Sequence, residues 1–243
     1  MGQKITPPME EYITHLNKKF KGLRLEEAFE ALASENFKNL AFSTSFGLED
    51  QVLTHHIFSR KLPIEVFTLD TGRLFEETYE VFHTTQKKYN TPIVTYFPEA
   101  KDIEQLLAAK GPFSFYNSVE DRKECCHLRK VKPLQRSLLG VDLWITGLRA
   151  EQSNARQKLR LFQYDDAFGL IKFNPLAHWT LEAVETYIKD HKVPQNKLHQ
   201  KGYVSIGCAP CTRAITPGED LRAGRWWWET SKKECGLHLP ANA

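Results

Sequence analysis

Five short apolar runs, set apart by longer stretches of helical periodicity, constrain this chain more than any other feature. They are LAFSTSF at 40–46, IEVFTLD at 64–70, PIVTYF at 92–97, DLWITG at 142–147 and LIKFNPL at 170–176, and each reads as a strand. Between them, Glu49 to Ser59, Phe75 to Tyr89 and Ile103 to Lys110 have helical character, and Phe75, Tyr79 and Phe82 follow the i, i+4, i+7 spacing of a buried stripe. Strand and helix alternating at this interval predict βαβ units: an α/β fold with a doubly wound, mostly parallel sheet.

Outside this core, residues 1–38 read as a helical extension with apolar positions at Leu23, Leu25, Ala28, Phe29 and Leu32. The core proper is expected over 39–190, closing with an amphipathic helix through Leu181, Val184 and Ile188. From 191 to 243 periodicity fades and Gly, Pro and Cys become frequent, which predicts a C-terminal extension. Trp226, Trp227 and Trp228 within it suit a packing lid better than a base-stacking platform. The 243 residues, 41% of them from the set AVILMFWYC, are enough to bury a full core without metal or disulfide, and disorder is excluded as the main state.

Thirty-three Lys plus Arg against thirty Asp plus Glu leaves +3, too little to point to nucleic acid, although a local basic pocket for a small anion is compatible with it. No window approaches the ~18 to 20 apolar residues of a spanning helix, and MGQKITPPMEEY has no apolar signal core, so the chain reads as cytoplasmic and without a membrane partner. Self-association into a homo-oligomer is left open.

Three strand ends carry anion-binding character. Phe42 to Asp50 joins the first strand to its helix, where backbone N–H groups and the Ser43 and Ser45 hydroxyls can cradle phosphate or sulfate; a Ser/Thr-rich helix cap is the plainer reading. It is neither GxGxxG nor GxxxxGK[ST]. The second strand ends Leu69-Asp70-Thr71-Gly72, where Asp70 could equally be a helix cap. A later strand ends at Gly147-Leu148-Arg149, with Arg156 close behind, and gathers arginines suited to oxyanions.

Five cysteines divide as Cys125-Cys126, Cys208-x-x-Cys211 and Cys235. In a cytoplasmic chain the first four suit thiolate metal ligation. Adjacent Cys125 and Cys126 converge poorly on one zinc but can reach separate corners of a 4Fe-4S cubane. Zinc, and four thiols merely packed as small hydrophobes, remain alternatives. Lys130 lies four residues after Cys126, so on a helix it would share a face with it, where one cation could feel both a cluster and a bound anion. Cys235, between Lys232-Lys233 and His238, is a candidate nucleophile favoured as thiolate by the positive charge; a spectator thiol near a chain end is the plain alternative.

Taken together, Ser45-Phe46-Gly47, Leu69-Asp70-Thr71-Gly72, Gly147-Leu148-Arg149 with Glu151-Gln152-Ser153, and Glu234-Cys235-Gly236-Leu237-His238 resemble the assimilatory sulfonucleotide reductases, from about residue 40 to 238. The two cysteine pairs look like the iron-sulfur branch. The resemblance implies a fold of the adenine-nucleotide alpha hydrolase type, whose loop reads SGGxDS; here the run is Ser45 to Asp50, without the first glycine and the final serine, which argues against ATP cleavage. It also implies adenine and ribose contacts near Ser43, Ser45 and Leu69, with Gly47, Asp70, Thr71, Gly72 and Gly147 shaping the loops. Lys130, Arg149, Arg222 and Arg225 are expected around a phosphosulfate, and Arg156, from the arginine-bearing loop, is a further cofactor-binding candidate. The implied activity is thioredoxin-dependent reduction of adenosine 5'-phosphosulfate to sulfite and AMP, through a sulfonated Cys235 with His238 orienting the tail. Phosphoadenylylsulfate is the alternative substrate. An ATP-dependent adenylating or tRNA-thiolating enzyme on the same core, and a non-catalytic nucleotide-binding module, are the competing classes.

Overall fold

A computed structural model describes residues 5–153, 156–229 and 237. The extension folds as α1 (Pro7–Lys19) and α2 (Leu25–Leu32), which bury Ile13, Leu16, Leu25, Ala28, Phe29 and Leu32. Then come β1 (Leu40–Thr44), α3 (Leu48–Ser59), β2 (Glu65–Leu69), α4 (Glu76–Tyr89), β3 (Val94–Tyr96) and α5 (Ala100–Lys110). A broken helical stretch follows: α6 (Val119–Cys126), a π-helical turn at His127–Val131 and α7 (Lys132–Ser137). The described chain continues with β4 (Leu143–Ile145), β5 (Phe162–Asp165), β6 (Leu170–Phe173) and α8 (Leu181–Asp190), then runs irregularly with short 3-10 turns at Lys197–Lys201 and Ala209–Cys211.

The strands form one six-stranded sheet in the order β3-β2-β1-β4-β6-β5. β1 runs parallel to β4, β2 to β3 and β4 to β6, and Phe42 stands opposite Ile145, which in turn stands opposite Phe173. The expected runs all contain strands, each shorter than its apolar segment. β5 was not foreseen, and it pairs antiparallel with β6, so the sheet is mixed. Strand order reverses direction at β1 and β4, the position at which open α/β sheets bind ligands beyond the carboxyl ends of their strands.

Contacts gather into two compact units. Among the described residues, one unit joins the chain up to Val66 with Leu138–Gln195, and the other joins Phe67–Ser137 with the chain from Asn196 onward. In the first, Phe20, Phe162 and Phe173 form an aromatic centre: Phe162 stacks on Phe173 at 4.4 Å, and Phe20 meets Phe162 edge-on at 4.8 Å. Asn17 ties α1 to β5 by donating to the Phe162 carbonyl and accepting its N–H. A buried Lys172–Asp165 ion pair at 2.8 Å lies within the β5–β6 hairpin, with the Lys172 ammonium 5.1 Å over the Trp144 ring.

In the second unit the stripe expected through Phe75, Tyr79 and Phe82 is corrected. α4 buries Thr78, Val81 and Thr85, while Tyr79 is 40% exposed. Hydrogen bonding explains the rotation: the Tyr79 hydroxyl donates to Asp70 at 3.0 Å, holding its ring at the rim. The core of this unit is small and includes Leu106, Phe115, Trp226 and four cysteines.

Candidate functional site

In the first unit, parallel pairing of β1 with β4 brings their carboxyl ends side by side. The Ser43 hydroxyl accepts from the buried Trp144 indole N–H at 2.9 Å, which leaves its own O–H as a donor. Phe46 takes φ +61, a left-handed turn that redirects the chain into α3, whose N-cap is Gly47. Ser45 is exposed at the mouth of this turn, yet both its N–H and its hydroxyl donate to the Asp50 carboxylate at 2.6 Å. Burial pushes Asp50 up to about 6; the two Ser45 bonds pull the other way, Glu49 adds to the rise and Arg156 opposes it.

Gly147 closes against this turn. A Cβ there would collide with Asp50 Oδ1 and lie 3.2 Å from the Asp50 nitrogen, so the close approach admits only glycine. Arg149, which is buried, donates to Glu49 at 2.9 Å and to Glu151 at 2.6 Å. Arg156 reaches Gln152 at 2.5 Å. Arg149 and Arg156, two of the arginines expected to meet oxyanions, are therefore engaged within the protein.

In the second unit, β2 ends at Leu69 and the next residues form a tight turn with Gly72 at φ +69. Asp70 accepts the Gly72 N–H at 2.8 Å as well as the Tyr79 hydroxyl; it braces the turn and is not the cap of α4, which is Phe75. Thr71 faces the other way, with its hydroxyl 3.3 Å from Cys208 Sγ, while its carbonyl accepts from Arg129 at 2.6 Å.

Cys125 and Cys126 end α6, which Ser118 caps by accepting the Asp121 N–H at 3.0 Å. Cys208 and Cys211 bracket the 3-10 turn, which is held by Ala209 N–H donating to the Arg73 carbonyl at 2.8 Å. All four are buried, none is in a disulfide among the described residues, and they line one small cavity with Arg73, Phe115, Arg122, Arg129 and Lys130. Among the described residues, no three His, Cys, Asp or Glu side chains form a group that would hold a single metal ion as they stand.

The cavity is strongly cationic. Burial raises Cys125 and, with the neighbouring Cys208, pushes Cys211 up to about 12. For Cys208 the same burial is outweighed by Lys130, the Thr71 hydrogen bond, Arg225 and Arg129, and its thiol is held below the ordinary value. Lys130 follows from the π-helical turn, a local widening that concentrates at functional positions. Arg225 presses on Gly207, donates to the Ile206 carbonyl at 3.3 Å, and forms no ion pair among the described residues. Trp226 is fully buried between two guanidinium groups, Arg122 at 4.6 Å and Arg225 at 4.7 Å. Arg122 in turn grips Glu229 through two 2.9 Å bonds.

Arg222 lies in the same irregular segment, where its N–H donates to Asp220 at 2.8 Å. Cys235 and His238 lie outside the described residues. Arg73, Arg122 and Arg129 escaped sequence reading because they come from separate segments and each reads alone as a surface cation. The one available signal was the density of Arg and Lys immediately around the cysteine pair.

The fold is of the adenine-nucleotide alpha hydrolase type. A yeast FAD synthetase structure shares the fold at a TM-score of 0.51 and 15% identity, covering 87% of this chain and 70% of its own. The chain belongs to the phosphoadenosine phosphosulfate reductase domain family, whose profile matches residues 39–214. Relatives named adenosine 5'-phosphosulfate reductase include one from Allochromatium vinosum, 52% identical over 82% of this chain and 78% of its own. Another, from Sinorhizobium fredii, is 48% identical over 96% and 93%. Among solved structures, phosphoadenylyl-sulfate reductase from Candida auris matches with a TM-score of 0.72 and 30% identity, covering 88% of this chain and all of that one.

Proposed function

We propose that this chain reduces adenosine 5'-phosphosulfate to sulfite and AMP in the cytoplasm, using reduced thioredoxin as the dithiol. The carrying observation is the gathering of four buried cysteines in one cation-lined cavity; of the five cysteines in the sequence, Cys235 is the one outside that set. Names of relatives at about half identity support the substrate.

Sulfate sulfur is screened by anionic oxygens, so nucleophilic attack needs a leaving group and charge compensation. The Cys235 thiolate forms a bond to sulfur while the sulfur–oxygen bond to AMP breaks and its electron pair leaves on the phosphate. Lys130, Arg222 and Arg225 stabilise that developing charge; Ser43, Ser45, Leu69 and the glycine-bearing turns hold the nucleoside. A thioredoxin thiolate then attacks Cys235 Sγ, sulfite departs with the electron pair, and the second thioredoxin thiol resolves the mixed disulfide. Two electrons pass from dithiol to sulfur in all. His238 orients the tail that carries Cys235.

Cys125, Cys126, Cys208 and Cys211 would hold a 4Fe-4S cluster, and the donor set fits one: four thiols, guanidinium and ammonium groups to balance the charge, and an apolar wall. Bound there, the cluster supplies a fixed negative charge that the surrounding cations balance.

Anaerobic protein assayed for iron, sulfide and sulfite release from adenosine 5'-phosphosulfate with thioredoxin tests the reading, alongside mass detection of sulfonated Cys235 without reductant. Iron-free protein at full rate, or sulfite release by Cys235→Ser at the parental rate, would overturn it. The Candida auris structure favours a second substrate, phosphoadenylylsulfate; side-by-side rates decide between them.

A further inference from the structure

A row of polar and aromatic side chains crosses four neighbouring strands on one face of the sheet. Trp144 of β4 stands opposite Ala41 of β1 and Lys172 of β6, and Lys172 stands opposite Gln163 of β5. Side chains two residues apart on a strand share a face, which puts Ser43, Trp144, Lys172 and Asp165 together. The Lys172 ammonium lies 5.1 Å over the Trp144 ring and donates to one Asp165 oxygen at 2.8 Å. The other Asp165 oxygen accepts the Ala167 and Phe168 N–H groups at 3.0 and 3.2 Å, closing the turn that brings Phe168 edge-on to Trp144 at 5.5 Å. With its ring held in this way, the indole N–H reaches Ser43 Oγ at 2.9 Å. Stability alone does not account for the charges. Lys172 lies in a strand whose four residues are all buried, and an ion pair with side chains 1% and 5% exposed is commonly no more stabilising than an apolar pair of the same volume.

We infer that Lys172 and Asp165 are positioning residues for nucleotide binding: the ion pair sets the Trp144 ring, and the indole N–H sets the Ser43 hydroxyl at the carboxyl end of β1. The inference deepens the proposed function and rests on its assignment of Ser43 to the nucleoside. An ammonium group is attracted to the face of an indole, so the pair opposes rotation of the ring out of its place. The indole, a donor only, occupies a lone pair of Ser43, and the hydroxyl proton then points away from it and serves as a donor. A hydroxyl oriented before the ligand arrives loses less rotamer freedom on binding.

Equilibrium binding of AMP to the full chain tests this, together with hydrogen exchange of the Trp144 indole N–H in tryptophan-labelled protein, its signal assigned with Trp144→Phe. Lys172→Met alone strands a buried carboxylate, so it is combined with Asp165→Asn, which keeps an acceptor for Ala167 and Phe168. The double variant should unfold cooperatively in urea, bind AMP about fivefold more weakly and exchange its indole proton about fivefold faster, the effect of one hydrogen bond. Lys172→Gln with Asp165→Asn, a neutral pair that can still hydrogen-bond, is read in the same way if the methionine version does not fold. In a Trp144→Phe chain the same two changes should add nothing to the loss of AMP affinity, since both act through one contact. A pair that merely braces the β5–β6 hairpin would lower urea stability and leave AMP affinity and indole exchange at parental values. Unchanged AMP affinity in a folded double variant would overturn the inference, as would a loss of equal size with and without Trp144. Failure of the parental chain to bind AMP would instead remove the nucleotide assignment and this inference with it.

Discussion

Asp50 and His56 lie on one helix and hold opposite proton preferences. Burial lifts Asp50 from its ordinary 3.8 to about 6, so from about pH 4 to 6 the folded chain keeps a proton that the unfolded chain has lost. Its contribution to stability therefore falls as pH rises through that window. His56 is buried against Phe29, with Nε2 unpartnered among the described residues, and burial lowers it from 6.5 to about 4. Unfolded chains take up that proton first, so the His56 contribution rises with pH between about 4 and 6.5. Urea unfolding as a function of pH should separate them: Asp50→Asn should make stability climb more steeply from pH 4 to 6.5, and His56→Leu should make it fall. Trp144→Phe tests the Ser43 contact; loss of one hydrogen bond worth about 1 kcal/mol should raise KM for adenosine 5'-phosphosulfate several-fold with kcat little changed.

At the scale of elements, the apolar runs made β1, β2, β3, β4 and β6 legible, because buried parallel strands need continuous hydrophobic sequence. β5 was not legible: Phe162-Gln163-Tyr164-Asp165 is a short edge strand with one fully buried apolar side chain, and its fourth residue pairs with Lys172. α6 was equally silent, since Val119-Glu120-Asp121-Arg122-Lys123-Glu124 shows no apolar stripe. What fixes α6 is distant in sequence: the bidentate grip of Arg122 on Glu229, with both side chains almost wholly buried. Removing one partner leaves an uncompensated interior charge, so Glu229→Ala should cost about 3–5 kcal/mol in denaturant unfolding and Arg122→Met with Glu229→Leu should recover much of it. Gly147→Ala drives a methyl into Asp50 and should destabilise by ~1–3 kcal/mol, and combining it with Asp50→Ser should relieve part of that loss.

For the whole molecule, the sequence set apart two cysteine pairs, and the described chain gathers those four side chains into one cavity. The cationic wall was legible only in part: Lys130 stood out beside the cysteine pair, whereas Arg73, Arg122 and Arg129 come from separate segments and meet only after folding. The two compact units also give metal removal a spatial signature. Chelation of anaerobic protein should sharply raise amide hydrogen exchange in 119–131 and 205–213, while β1, β4 and β6 of the other unit keep their protection. Uniform loss of protection would mean that the units unfold as one. The cysteine pairs themselves stand far apart along the chain, one ending α6 and the other near the last described turn. A ribosome-bound intermediate that exposes only the first pair could therefore offer iron just half of its anchorage. On the proposed function, a cluster would find all four anchors only after residue 211 has left the ribosome.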